Sequence, residues 1–247
     1  MTEFSYIGKG RILVAPYDGT AGLRPVGNVS ELKFSPGEEE KSIQDYQNSG
    51  GGKANSVRRV SGVEISMSLY DRIAENIALV TKGAATAVAS GSATDEQHKG
   101  FHGQYISLDR HMTPTSIVVK DVTGVTTYVL NTDYTVDADG LIKILSTGAI
   151  GDGDTLKISY SYVAHNAVQA LVNSGAEYRV VFVGLNEAQT DKPVTVTAHR
   201  LKFGAADSLD FIGDDFSPMA VKGEALKDSS ITGAGLSQYF TVQQVEV

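Results

Sequence analysis

The chain has 247 residues, a formal net charge of -8 and no cysteine. This length allows one large domain or two modest ones, and the absence of cysteine excludes a disulfide framework, thiol catalysis and zinc held by thiolates. An acidic chain is a poor candidate for gripping DNA through its phosphates, and no apolar run approaches the roughly 20 residues of a membrane-spanning helix.

The N-terminal part predicts a first strand within residues 6–16 and then a long hairpin. Apolar and polar residues alternate loosely over 26–34 and again over 60–69, which is typical of two half-buried strands. Pro36-Gly37 predicts a turn between the first of these runs and a charged returning strand over 38–45.

A polar, glycine-rich arm, residues 45–59, separates the two apolar runs and has too few apolar residues to fold against itself. Consecutive glycines maximise the backbone entropy lost on ordering, and paired arginines can bind carboxylates of another chain. A solvated loop is the alternative interpretation. The residues that we predict to contact neighbouring subunits are Asp45, Tyr46, Asn48, Gly50, Gly51, Gly52, Lys53, Asn55, Ser56, Val57, Arg58 and Arg59.

A short amphipathic helix is predicted after Leu69, where Ile73, Ile77 and Val80 fall on one helical face. Asp71 is the predicted N-cap, and Gly83 is the predicted C-terminal stop. We expect this helix to lie across a sheet.

The rest of the chain predicts further strands. Residues 84–100 are rich in small and polar residues and predict a linker, whereas 101–165 contains regularly spaced strands and turns typical of a small antiparallel sandwich. Strands predicted over 178–184, 194–203, 217–226 and 237–245 return to the first domain. The predicted fold is mainly β: a core of two antiparallel sheets with one helix, formed by 1–100 and 166–247, interrupted by an inserted domain at 101–165.

Several segments, taken in order, resemble tail tube proteins of long-tailed, siphophage-type bacteriophages. They are residues 27–32, the acidic run after Pro36, Asp45-Tyr46, the three glycines 50–52, Ser56–Arg59, 75–79, 192–203, Asp214–Phe216 and 223–228. No single motif is diagnostic, and the resemblance depends on their order. Residues 131–136 and 152–160 resemble immunoglobulin-like modules inserted in phage structural proteins, which would lie outside the tube.

The resemblance implies a tail-tube-type β-barrel or sandwich with a flanking helix, assembled as hexameric rings that stack into a tube. Double-stranded DNA would pass through the lumen without specific binding, and an acidic wall would repel it. The implied partners are other copies of the chain and the tape measure, tail tip and tail terminator proteins. The implied location is the virion, after assembly in the host cytoplasm, with no membrane partner. We expect the loop of the arm, Asn48–Val57, to order only when rings stack.

Two alternative functions remain open at this point. A needle or tube subunit of a contractile injection or secretion system would share the fold. A surface adhesin or carbohydrate-binding protein would instead use the inserted sandwich and should cluster aromatic side chains on one exposed face. The aromatic residues available for it are Phe101, Tyr105, Tyr128, Tyr134, Tyr160 and Tyr162.

The sequence predicts no catalytic, metal or cofactor site and no enzymatic activity. Ala54 stands where a phosphate loop ending at Lys53 would need serine or threonine. His98 and His102 could share a helical face as metal ligands, but nearby glycines disfavour a helix, and solvated linker histidines are the simpler interpretation. The aspartates at 137, 139, 152 and 154 lack the terminal glutamate of a calcium loop and are typical turn residues.

Overall fold

The computed structural model of the protein describes residues 5–110 and 113–245. Antiparallel sheets and one short α-helix make up its regular structure, so the predicted mainly β fold is confirmed. The chain divides into two compact units: unit 1 runs up to Ala85 and resumes at Val168, and unit 2 is Thr86–Ala167.

Sixteen strands, numbered in chain order, carry the fold. They are β1 (Gly8–Pro16), β2 (Arg24–Pro25), β3 (Val29–Gln44), β4 (Lys53–Leu69), β5 (Ala84–Val88), β6 (Gly91–Gly100), β7 (Tyr105–Ile106), β8 (Thr115–Asp121), β9 (Tyr134–Val136), β10 (Ile142–Ile144), β11 (Asp154–Tyr162), β12 (His165–Gln169), β13 (Tyr178–Asn186), β14 (Lys192–Phe203), β15 (Met219–Ala225) and β16 (Phe240–Gln244).

Unit 1 is built on one antiparallel sheet in the order β2-β1-β13-β14-β15-β4-β3, with β16 also pairing β14. Along one edge of β14, Val194–Ala198 pair with β16 and Leu201–Phe203 pair with β15. The two halves of the sheet pack on each other, because β1 and β13 share one hydrophobic core with β4 and β15. The rings of Phe34 on β3 and Phe240 on β16 lie 5.1 Å apart.

Alternating hydrophobicity explains which side of each core strand is buried. On β4 the buried residues are every second one: Val63, Ile65, Met67 and Leu69. Successive side chains of a strand point to opposite faces, so this alternation places one face in the core. The same core takes side chains from the other strands of unit 1, namely Ile12, Val14, Val180, Ala198, Leu201, Phe203, Met219, Val221 and Ala225.

The start of the helix differs from the prediction. The helix α1 (Ala74–Val80) is preceded by Ile73 at the N-cap position, without a side-chain capping bond, so Asp71 is not the N-cap. The backbone carbonyl of Asp71 instead accepts from the side chain of Asn76, which is fully buried and also donates to the carbonyl of Val26. Asn76 therefore ties α1 to the chain segments beside it.

The helix ends in a Schellman motif, in which the residue after Thr81 adopts the left-handed conformation. That residue is Lys82, with φ of 50°. The N–H of Gly83 then donates to the carbonyl of Ala78 at 2.7 Å. Gly83 thus follows the left-handed residue, and a Cβ there would lie 2.4 Å from the Gln169 carbonyl oxygen.

The hairpin also departs from the prediction, because Pro36-Gly37 is not a turn. β3 continues through both residues to Gln44 and stays paired with β4, with a register shift after Gly37. β3 pairs only with β4, and a proline is tolerated on such an edge strand since there is no second ladder to disrupt.

Unit 2 contains two three-stranded sheets, β6-β11-β8 and β7-β10-β9, and β5 pairs with β12. Buried side chains from both three-stranded sheets form one core. They are Ile106, Leu108, Val119, Tyr134, Ile142, Ile144, Ile150, Leu156, Ile158 and Tyr160.

The predicted linker 84–100 and the predicted domain start at residue 101 are wrong. Residues of this segment form β5 and β6, and unit 2 begins at Thr86. β6 carries a polar sequence, and its half-buried positions include Glu96 and His98 in place of apolar residues. Hydropathy therefore gave no signal for this strand.

Candidate assembly interface

The outer part of the β3–β4 hairpin extends away from the core of unit 1. The two strands stay paired out to Gln44 and Lys53, but every side chain of Glu38–Gln44 and of Lys53–Ser61 is exposed. At about 3.3 Å per residue, the outer part of β3 is about 20 Å long. A two-stranded ribbon that buries nothing is only marginally stable in water, so this element gains most from contact with another surface.

One face of the outer hairpin, the ionic face, satisfies its charges internally. Cross-strand partners lie on the same face, and here Arg58 lies opposite Glu40. Its guanidinium approaches the carboxylates of Glu40 and Glu38 at 3.6 and 3.9 Å, and Lys53 pairs with Glu40. Such exposed pairs contribute little stability. They do leave Arg58 and Lys53 occupied within the hairpin.

The opposite face, the open face, presents Ile43, Val57 and Arg59. Val57 lies opposite Lys41, Arg59 lies opposite Glu39, and Ile43 follows on the same side of β3. Ile43 is 58% exposed and Val57 is 51% exposed. Across the described ranges 5–110 and 113–245, no carboxylate lies within ion-pair distance of Arg59. Two neighbouring apolar side chains beside an available guanidinium are typical of a protein interface.

The tip of the hairpin has a defined local structure. The carboxylate of Asp45 accepts from the Gln47 N–H at 2.8 Å and from the Asn48 side-chain amide at 2.7 Å. The amide of Asn48 and the N–H of Gln47 lower the pKa of Asp45 below its ordinary value. Gly50, Gly51 and Gly52 have φ values of 137°, 68° and 133°, which only glycine adopts without strain. The tip therefore requires its glycines, and it leaves Tyr46 85% exposed.

The predicted site residues accordingly fall into three places. Asp45 to Gly52 form the tip, while Lys53, Ser56 and Arg58 lie on the ionic face and Asn55, Val57 and Arg59 on the open face. The prediction that Asn48–Val57 is one loop is corrected, since β4 begins at Lys53. The sequence analysis did not include Ile43 among the contact residues. Its place on the open face follows from the pairing register of β3 and β4, which sequence spacing alone does not give.

Unit 1 also has a cleft of about 830 Å³ between β1, β3 and β16, with a lining that is part apolar and part polar. Among residues 5–110 and 113–245, β3 and β16 each pair with one strand, so each leaves an unpaired edge beside the cleft. Unpaired edges are templates for strand addition by another chain. The apolar residues that line the cleft include Ile12, Leu32, Phe34, Phe182, Val196 and Val242.

A second exposed apolar segment lies between β14 and β15. Phe211, Ile212 and Phe216 are all at least 80% exposed, and aspartates at 210, 214 and 215 accompany them. Arg72 steadies this segment, since its guanidinium lies 5.8 Å from the Phe211 ring centre and donates to the Ser217 carbonyl. Clustered exposed apolar residues of this kind mark interaction surfaces. Residues 205–212 have no regular secondary structure.

The residues considered for chemistry are placed as follows. Nε2 of His102 donates to the Ile150 carbonyl, whereas Nε2 of His98 contacts Glu96, so the two histidines do not share a site. Asp154 accepts from the Gly151 N–H and Asp152 from the His102 N–H, as turn residues do. Among the described residues, one group of three could hold a metal ion: Glu96, His98 and Asp109.

Comparison with known proteins gives one relationship. A protein-family model described as "Protein of unknown function UCP028589" matches residues 5–243. A search of curated proteins found no match. Within the part of the chain that the structure describes, no helix is long and apolar enough to cross a membrane.

Proposed function

The chain belongs to the family whose model matches residues 5–243, and we propose that it is a structural virion protein that self-assembles into a tube. The tube would consist of stacked hexameric rings and would be the tail tube of a long-tailed phage. The conduit would carry double-stranded DNA into the host. The observation that carries this proposal is the outer β3–β4 hairpin.

The hairpin is suited to self-association because its two faces differ. The ionic face neutralises its charges through Arg58, Lys53 and two glutamates. The open face keeps Ile43 and Val57 in water and leaves Arg59 available. Burying the apolar pair against a neighbouring subunit removes apolar area from water, and Arg59 can bind one of the many surface carboxylates of an acidic chain.

Unpaired sheet edges provide a route to ring closure. In the part of the chain that the structure describes, β3 and β16 each have a free edge next to the cleft of unit 1. If strands of adjacent subunits continue one another's sheets, closing the ring leaves no edge exposed. Charged side chains along β3, such as Glu31 and Lys33, would oppose pairing with unrelated strands while allowing a complementary neighbour.

The charge of the chain supports a conduit. With a net charge of -8, a wall built from this protein would repel the phosphate backbone and let DNA slide without specific binding. Such a tube would be completed by tape measure, tail tip and tail terminator proteins after assembly in the host cytoplasm. The alternative is a needle or tube subunit of a contractile injection system. Such a subunit would assemble through the same contacts.

A carbohydrate-binding role for unit 2 is less well supported. That role needs aromatic side chains on one exposed face, but Tyr134 and Tyr160 are core residues of unit 2. The ammonium of Lys143 lies over one face of the Tyr105 ring, 5.3 Å from its centre. Fewer rings therefore remain free for stacking on a sugar.

The proposal is tested by electron microscopy and sedimentation of the concentrated full chain. We expect hollow tubes or six-membered rings. A trimmed variant, in which residues 41–57 are replaced by an Asn-Gly turn, removes the tip and the apolar residues Ile43 and Val57 of the open face but keeps the core-forming pairs of β3 and β4. It should remain folded and monomeric, because the deleted residues are exposed.

The outcomes separate the candidate functions. Tubes of normal length from the trimmed variant would contradict an assembly role for the hairpin. Stable wild-type dimers that bind glycans would favour the adhesin. The trimmed variant's thermal unfolding serves as the control, since a folded monomer with a wild-type unfolding temperature shows that lost assembly is not lost folding.

A further inference from the structure

Three metal-ligating groups converge in unit 2, whereas the elements used in the proposed assembly belong to unit 1. A carboxylate oxygen of Glu96, Nε2 of His98 and a carboxylate oxygen of Asp109 all lie within 4.8 Å of one another. We propose that these three residues form a binding site for a first-row divalent cation, with Zn²⁺ as the best fit. The inference does not depend on the proposed tube function.

The local backbone explains why the first two ligands face the same way. Glu96 and His98 are two residues apart on β6, so their side chains lie on one face of the strand. The pairing of β6 with β11 shifts register just before them, and Asp95 in this bulge has a φ of 55°. Bulges redirect neighbouring side chains and recur next to functional sites.

The third ligand is brought in by the backbone. The N–H of Asp109 donates to Oε1 of Glu96 at 2.9 Å, which fixes this residue beside β6. The exposed side chain of Asp109 is then free to turn toward the same point. Arg110 does not compete for these carboxylates, because its guanidinium stacks on the Tyr162 ring and donates to the Tyr162 hydroxyl.

The surroundings hold the Glu96 carboxylate in place. The buried hydroxyl of Tyr160 donates to Oε2 of Glu96 at 2.6 Å. Both oxygens of the Glu96 carboxylate are therefore held, Oε1 by the backbone N–H of Asp109 and Oε2 by the Tyr160 hydroxyl. Metal-binding carboxylates are oriented by such outer hydrogen bonds.

The donor set selects the class of cation. One imidazole with two carboxylates suits Zn²⁺ and its neighbours, whereas Mg²⁺ and Ca²⁺ prefer oxygen donors alone. Tetrahedral Zn²⁺ with bonds of about 2.0–2.2 Å places donors about 3.4 Å apart. Nε2 of His98 and Oε1 of Glu96 are now 2.6 Å apart, so the metal would replace their hydrogen bond after a small rotation. Water would fill the fourth position.

The test is equilibrium dialysis of the full chain against Zn²⁺, with the bound metal counted by mass spectrometry and Co²⁺ absorption as a second readout. We expect one saturable Zn²⁺ per chain and tetrahedral Co²⁺ bands. Asp109→Asn should weaken binding by at least about tenfold. It should not disturb the fold, since the Asp109 side chain is exposed and its backbone N–H, which binds Glu96, is retained.

A matched control distinguishes this site from adventitious surface zinc. His165→Gln removes a histidine of unit 2 whose ring bonds only a backbone carbonyl, and it should leave Zn²⁺ binding unchanged. The proposal is overturned if the wild-type chain takes up no saturable Zn²⁺. It is equally overturned if Asp109→Asn and His98→Gln bind Zn²⁺ as tightly as the wild type while unfolding at a similar temperature.

Discussion

Placing one charge on the open face of the hairpin should prevent assembly, while the same charge on the ionic face should not. Val57 and Ser56 are adjacent on β4, both exposed and on opposite faces. The variants are Val57→Asp and Ser56→Asp. Neither should alter the folded subunit, because neither side chain contributes to the core.

The expected magnitude follows from the exposure of Val57. Fully burying a valine stabilises by about 1.5–3 kcal/mol, so burying the exposed 51% contributes about 1 kcal/mol per subunit. Burying the charge of an aspartate there, opposite Lys41, costs about 1–3 kcal/mol more in lost hydration. Each 1.4 kcal/mol is a factor of about ten, so the concentration needed for assembly should rise at least about 30-fold for Val57→Asp.

Sedimentation of tubes over a concentration series measures this threshold, with negative-stain images to identify the pelleted species. Ser56→Asp should shift the threshold by no more than about threefold, as exposed substitutions usually do. Equal thresholds for the two variants would refute the two-face reasoning. An unchanged threshold for Val57→Asp would show that the open face stays in water in the assembly.

Two further predictions concern stability. Asn76→Ala leaves the carbonyls of Val26 and Asp71 without their donor in a buried position, so urea unfolding should show a loss of roughly 2–4 kcal/mol; a loss below about 0.5 kcal/mol would contradict the role of this side chain. The hydrogen bond and charge of Arg200 lower the pKa of Glu177, so its stabilising contribution is present above the unfolded value of about 4.3 and is lost as pH falls through the lower folded value. The stability difference between wild type and Glu177→Gln should therefore be largest near neutral pH and disappear in acid, and a difference that does not change with pH would exclude this pair as its source.

The order of the hairpin tip bears on how the arm could act. The sequence suggested a loop, Asn48–Val57, that orders only when rings stack, because three glycines carry a large entropic cost. The structure gives the tip an internal framework, in which Asp45 binds Gln47 and Asn48 and its own N–H binds the Gly52 carbonyl. The part most dependent on a partner is then the ribbon below the tip, where the open face holds the apolar residues.

Local sequence patterns were sufficient for the elements whose side chains alternate strongly. The alternation ending at Leu69 determined both the strand and its buried face, since a period of two leaves only one face apolar. Two other signals were also local. A continuous apolar run predicted the strand β13, and a helical spacing of apolar residues predicted the position of the helix. The mainly β fold with an inserted unit was therefore accessible from the sequence.

Tertiary structure decided the features for which the local sequence is compatible with two different backbone conformations. Pro36-Gly37 can make a turn or lie in an edge strand, and only the presence of β4 alongside selects the strand. β6 is polar because hydrogen bonds, rather than apolar contacts, hold Glu96 at its half-buried position. No local pattern encodes those distant partners, so the strand appeared to be a linker.

The candidate sites also depend partly on local sequence and partly on tertiary structure. Composition alone identified the arm of residues 45–59, because its polarity and its glycines are local properties. Which of its residues face a partner depends on the cross-strand register, and that register is shifted by the irregularities after Gly37 and Ile43. The approach of Asp109 to Glu96 likewise depends on a backbone hydrogen bond between segments that are separate in sequence. Long-range pairing, which sequence periodicity does not specify, is thus what creates both surfaces.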